Sequence, residues 1–229
     1  MSRAVMLEKI RRCCSRARRV RQPLLLPEFP VYEDRVDTFR QELKRVGGDF
    51  FEARREDQLE AALSVVLRRA GAKAIYWESE EIFQKHGIPY RLRNPEAFAQ
   101  GDLVHSSHFG GRVKMPIILN AKRYERENLA TVTLSASSAL CGIAETASVL
   151  QPVGIGKGRL FCALPPAHLV FLSEKDLLNN HAECFTSIRF GQKGSALTLV
   201  TGPSRTADIE KTLVVGVHGP EHWSVILTG

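Results

Sequence analysis

Cysteine is scarce in this chain. The five present, Cys13, Cys14, Cys141, Cys162 and Cys184, are an odd number among 229 residues, with no C-x-x-C spacing and no signal-type apolar segment ahead of them. That excludes a disulfide framework and points to reduced thiols in a cytoplasmic protein. Thiols so few and so scattered also argue against an iron–sulfur cluster held by this chain, so no cofactor is expected on it. Long hydrophobic runs are missing too. Pieces such as Leu24 to Leu26 and Leu169 to Leu172 fall far short of the roughly 20 residues a membrane span needs. There is no internal repeat and no low-complexity tract. The glycine-rich run Gly154-Ile155-Gly156-Lys157-Gly158-Arg159 lacks both the G-K-[ST] ending and the G-x-G-x-x-G spacing of phosphate loops, and reads as a hairpin turn.

Charge is present, but not where a nucleic-acid binder needs it. Arg3, Lys9, Arg11, Arg12, Arg16, Arg18, Arg19 and Arg21 stand against Glu8 alone in residues 1–21, which accounts for the whole net charge of +7. The rest of the chain is neutral and carries no aromatic-studded basic patch, so nucleic acid is an unlikely partner. Met6, Ile10, Cys14 and Ala17 recur at near-helical spacing among the arginines, so the N-terminus is predicted to be a basic amphipathic helix. Such an arm fits a transit segment, a binder of phosphate or of an acidic partner, or a solvated or body-packed helix.

Residues 1–30 are thus read as a basic helix followed by an extended, proline- and leucine-rich connector, and residues 31–229 as one α/β domain. Within the domain the expected order is a helix over Tyr32 to Val46 ending at Gly47-Gly48, and a strand over Asp49 to Ala53. A helix over Asp57 to Ala70 stopped by Gly71, a strand over Ala74 to Trp77 and a helix over Glu80 to His86 follow. A strand starts at Tyr90 to Leu92. Asn94 to Asn128 reads mostly as loop, with a short strand at Ile117 to Leu119 and two histidines, His105 and His108, that lack an obvious third metal ligand. Beyond it come a strand over Ala130 to Leu134, a helical turn over Ser137 to Leu140, a strand-turn over Ile143 to Leu150, strand within Leu160 to Leu172, and a helix over Leu177 to Arg189. The alternation predicts a mostly parallel sheet with helices on both faces.

The most informative stretch is T-G-P-S-R-T-A-D-I-E-K-T-L-V-V-G-V-H-G-P, Thr201 to Pro220, set between the strand-like runs Leu197 to Val200 and Val225 to Leu227. Gly202 and Pro203 predict a tight turn, after which Ser204 or Thr206 would cap a helix over Ala207 to Leu213. The N–H groups of that first turn, with Arg205 and the hydroxyls, would receive an anion, and Asp208 would sit beside them. Arg205 is the strongest single candidate, because a guanidinium grips a carboxylate or phosphate through two parallel hydrogen bonds. His218, in V-H-G-P, lies where a second loop could approach the first. Glu145, in the apolar run G-I-A-E-T-A-S-V-L, must find partners or a raised pKa. Gly202, Ser204, Arg205, Thr206 and Asp208 are therefore the candidate anion-binding set, and Glu145 and His218 the catalytic candidates.

The run T-G-P-S-R-T-A-D-I-E with G-V-H-G-P, and Ile143-Ala144-Glu145-Thr146-Ala147-Ser148 upstream, resembles the LUD-domain family in its lactate utilization protein C branch. The match is strong from Leu199 to Leu227, good from Ala130 to Leu150, and architectural before that. Members of the family usually carry E-T-G where this chain has Glu145-Thr146-Ala147. The resemblance implies the fold shared by ribose-5-phosphate isomerases, CoA transferases and 5-formyltetrahydrofolate cyclo-ligases. It also implies a role in oxidising L-lactate to pyruvate beside two iron–sulfur partner proteins, which would hold the clusters. The alternative is a nucleotide- or carboxylate-activating enzyme resembling the cyclo-ligases. In either case a small carboxylate or phosphate is the expected ligand, beyond the carboxyl ends of the strands.

Overall fold

The computed structural model describes residues 3–16, 28–72, 74–78, 81–88, 104–105, 112–113, 117–120, 132–153, 162–187, 196–206, 214–216 and 219–229. Helix α1 (Arg3–Arg16) is exposed throughout residues 3–12. Helix α2 (Arg35–Arg45) starts at Asp34, whose carboxylate accepts the Asp37 N–H at 2.8 Å, and turns out through Gly47. It buries Phe39 and Leu43, one turn apart. After strand β1 (Asp49–Ala53), helix α3 (Glu56–Arg69) begins where Gln58 Oε1 accepts the N–H groups of Arg54 and Arg55. Its buried stripe, Leu59, Leu63, Val66 and Leu67, is the amphipathic pattern that made it legible. Strand β2 (Ala74–Trp77) and the short helix α4 (Glu81–Lys85) follow as expected.

The stretch read as mostly loop holds a two-stranded ladder, β3 (Val104–His105) with β4 (Arg112–Val113), and strand β5 (Ile117–Asn120). Next come β6 (Leu134–Ser138), β7 (Cys141–Ile143), a 3-10 turn at Ala144–Thr146, β8 (Ser148–Val153), β9 (Ala167–Ser173) and β10 (Leu177–Leu178). The chain continues through helix α5 (His181–Ser187), β11 (Ala196–Val200), β12 (Arg205–Thr206), β13 (Val214–Val215) and β14 (His222–Thr228).

Among the described residues, one sheet has the order β1-β14-β9-β6-β2-β5 with every pairing parallel. A second, β10-β7-β8-β11, is antiparallel except for its β10–β7 edge. Alternation along the central strands divides the core. Leu134, Ala136, Leu169, Phe171 and Ile226 face α3 and α4, while Val170, Leu172, Val225 and Leu227 face α2 and the residues Ala144, Ala147 and Val149. Helices cover both faces, as the sequence implied. The face of α2 is shared with the small antiparallel sheet, because one eleven-residue helix is too short to cover it.

Three boundaries differ from the sequence reading. The strand expected over Ala130 to Leu134 runs instead from Leu134 to Ser138, and the helical turn expected over Ser137 to Leu140 is absent. Ser135 and Ser137 look like turn formers, but they alternate with Leu134 and Ala136 and use their hydroxyls on buried His168. The helix expected from Leu177 starts at His181, because Leu177 and Leu178 pair with β7 and Asn180 Oδ1 accepts the Glu183 N–H at 3.0 Å. The strand at Tyr90 to Leu92, the Gly154 to Arg159 turn and His108 lie outside the described residues, as does the side chain of His105.

Candidate functional site

The loop after β11 is shaped by Gly202, whose φ is +70° and where a Cβ would come within 2.8 Å of the Val46 side chain. A residue with a side chain is thus excluded twice, by conformation and by space. The next residues correct the sequence reading. Ser204 is not a helix cap: its N–H donates to the Pro220 carbonyl at 2.8 Å, and its own carbonyl accepts the Gly216 N–H at 2.9 Å. Arg205 and Thr206 then pair with Val215 and Val214 as a hairpin. The helix expected over Ala207 to Leu213, with Asp208, lies outside the described residues.

The approach of a second loop, expected from the H-G-P turn, is present at Gly219 and Pro220. A Cβ on Gly219 would lie 2.9 Å from that of Ser204. His218 itself is outside the described residues. Exposed Arg205 donates from Nη2 to the Val46 carbonyl at the end of α2, where a cation also meets the negative end of the helix dipole. A guanidinium has five N–H donors, so this bond leaves a two-pronged grip on an anion feasible. The loop leans on Val46, ahead of β1, and on Pro220, ahead of β14. It therefore sits at the amino ends of these strands, opposite the edge where ligands were expected.

Glu145 occupies the 3-10 turn between β7 and β8. Its backbone N–H donates to the Asn179 carbonyl at 3.0 Å, and its half-buried carboxylate faces His181 Nδ1 at 3.3 Å. Position 147, where the resemblance places glycine, does adopt the left-handed conformation: Ala147 has φ 52° and is fully buried. The turn and the loop are joined by hydroxyls. Thr146 Oγ1 and Ser148 Oγ are 2.7 Å apart, and Ser148 Oγ and Thr201 Oγ1 are 2.5 Å apart. The structure thus connects the Glu145 turn to the loop of Ser204 and Arg205, and adds His181, Ser148 and Thr201, which sequence reasoning missed. His181 follows Glu145 by 36 positions, so nothing local signals the pair.

At the carboxyl ends of the large sheet lies a second polar group that sequence reasoning also missed. His86 is buried, with Nδ1 2.8 Å from Thr228 Oγ1 and Nε2 2.8 Å from Ser138 Oγ. Glu78 accepts the Ser138 N–H at 2.9 Å, and Lys85 donates to the Ala139 carbonyl while pairing with Asp176 at 3.1 Å. Burial, helped by Lys85, lowers the His86 pKa to about 4. Between the two sheets, fully buried His168 contacts Ser135, Ser137 and Gln151, and burial lowers its pKa to about 3. Both imidazoles are neutral and held by neighbours, as structural histidines are. Cys141 and Cys184, buried with sulfurs 3.4 Å apart, are unbridged thiols that burial keeps protonated.

A mostly parallel sheet covered on both faces, with loops bearing hydroxyls, a guanidinium and a carboxylate–imidazole pair, defines an α/β protein. The chain belongs to the LUD-domain family, whose domain matches residues 36–228. It is 28% identical to a lactate utilization protein C of Shouchella clausii over 85% of this chain and 81% of that one. It is 25% identical to one of a Geobacillus species over 85% and 80%. Among solved structures, a DUF162 family protein from Deinococcus radiodurans shares the fold, with a TM-score of 0.55 at 17% identity over 87% of this chain and all of that one.

Proposed function

We propose that this chain is a cytoplasmic component of an L-lactate utilization system, in which lactate is oxidised to pyruvate beside iron–sulfur partner proteins. The carrying observation is the likeness, along 85% of the chain, to proteins named for lactate utilization. In this reading the ligand is a small 2-hydroxycarboxylate. Arg205 grips its carboxylate in two hydrogen bonds, and the Ser204 and Thr206 hydroxyls, beside the Gly202 turn, complete the anion site. Glu145 is the partner that orients His181, and an imidazole so held is suited to accept the proton of the 2-hydroxyl. Oxidation to pyruvate also breaks the Cα–H bond, so that two protons and two electrons leave in all; the second proton would pass to solvent, and iron–sulfur centres on the partner proteins would take up the two electrons.

The test is complementation of a strain lacking the gene. The intact gene restores growth on L-lactate, whereas Arg205→Ala does not, although growth on glucose and the soluble level of the protein are unchanged. Full growth of the Arg205→Ala strain on lactate removes this loop from the reading. Nucleotide binding by the purified protein, without a growth defect in the deletion strain, would move it to the activating enzymes that resemble cyclo-ligases.

A further inference from the structure

We infer that α1 is an interfacial helix that docks the protein on an anionic phospholipid surface. Every residue from Arg3 to Arg12 is exposed, and none of them belongs to a described core cluster. Yet α1 is not polar all round. Met6 is 49% exposed, Leu7 43% and Ile10 49%, and their spacing places them on one helical face. Lys9, three residues from Met6, and Arg11, four from Leu7, border that face on its two sides. Arg12 pairs with Glu8 at 2.8 Å, with both side chains largely exposed.

An apolar strip bordered by long basic side chains suits a helix lying in the headgroup layer. The strip sinks toward the acyl chains while the lysine and arginine stems reach back to the phosphates. The positive charge continues in the sequence through Arg16, Arg18, Arg19 and Arg21, and the rest of the chain is neutral. The net charge of the protein therefore falls in the stretch of sequence that begins with α1. Charge complementarity selects an anionic surface. Lipid is favoured over an acidic protein groove because α1 has no tryptophan, tyrosine or phenylalanine to anchor a shape-specific contact. The helix is fourteen residues long, and no described helix is long and apolar enough to cross a membrane, so α1 lies on the surface. This inference is independent of the reading of the Arg205 loop.

The experiment is co-sedimentation of the full chain with vesicles of pure phosphatidylcholine, or of phosphatidylcholine with about a quarter phosphatidylserine. Binding is expected to the anionic vesicles only. It weakens steeply as the Debye length shrinks from about 10 Å at 0.1 M salt to about 3 Å at 1 M. Each basic side chain at the surface contributes about fivefold to partitioning, so Arg11→Gln with Arg12→Gln lowers it roughly 25-fold. Met6→Gln with Ile10→Gln keeps every charge and should also release the protein from the vesicles. Binding that ignores this apolar pair reduces the effect to counter-ion attraction and overturns the inference. So does failure to sediment with anionic vesicles at low salt. Slowed amide hydrogen exchange in α1 on adding anionic vesicles, lost in the apolar double variant, would support it independently of sedimentation.

Discussion

Arg205 illustrates how one residue serves two purposes and how a variant can separate them. Its bond to the Val46 carbonyl ties the loop to α2, so Arg205→Ala should cost about 1 kcal/mol of stability besides any loss of ligand. Arg205→Lys keeps a charge near the helix end but cannot form the two-pronged grip. Under the lactate reading it should recover most of the thermal midpoint and little of the growth, which calorimetry and complementation would show separately. His86 gives a prediction in pH. Its pKa falls from about 6.5 in the unfolded chain to about 4 in the fold, so between these values only the unfolded state binds the proton. Stability is full above pH 6.5 and is lost as pH falls toward 4, by on the order of 3 kcal/mol for His86. His168 acts with the same sign down to about pH 3. Chemical denaturation across this range should show the slope, and His86→Gln should reduce it by about one proton. None of this was visible in the sequence. His86 stands next to Gly87 and reads as a helix end, while its partners Ser138 and Thr228 are 52 and 142 positions away.

Elements were legible where local chemistry decides them. Strands β1 and β2 coincide with the sequence reading because alternating or apolar runs there are bounded by glycine or charge. Helix α3 was legible from its stripe and from Gly71. The turn at residues 144–148 was legible as strand-turn, and the conformation of Ala147 only through the resemblance, which places glycine there, since nothing in a lone alanine announces a positive φ. That residue is the weak point of the element. A non-glycine residue in the left-handed region costs on the order of 1 kcal/mol, and a β-branched one costs more. Ala147→Val, which adds both strain and bulk at a fully buried site, should destabilise the protein by about 2–3 kcal/mol. It should also disturb the neighbouring Thr146–Ser148–Thr201 hydroxyls. Urea unfolding measures the first effect. Ser148→Ala should cost about 1 kcal/mol without shifting the strands, because one hydroxyl contact is lost on each side. Of the two caps considered for the helix over Ala207 to Leu213, Ser204 fails for a related reason. Its carbonyl and N–H bond to Gly216 and Pro220, positions 12 and 16 residues further along the chain, which commits Ser204 to a hairpin rather than to a cap.

At the scale of the whole molecule, the arm and the body are expected to be energetically separable. Removing residues 1–27 should lower the isoelectric point toward neutrality and leave the thermal midpoint within about 2 °C, since residues 3–12 of α1 are exposed. Scanning calorimetry decides this, and a large fall would make the arm part of the core. The parallel sheet was legible as a class because helices and strands alternate. Its strand order was not, because order depends on crossovers that leave no local trace. That order has a consequence for synthesis. Strand β14, residues 222–228, lies in the sheet between β1 and β9, so two elements made much earlier become neighbours only through it. At about 5–20 residues per second, β1 waits on the order of ten seconds or more after leaving the ribosome for the strand that completes its hydrogen bonds. Until then the emerging chain displays an open slot flanked by bare strand edges. Its final closure is a single late event, and chaperones that shield unpaired edges would act on this protein in that interval.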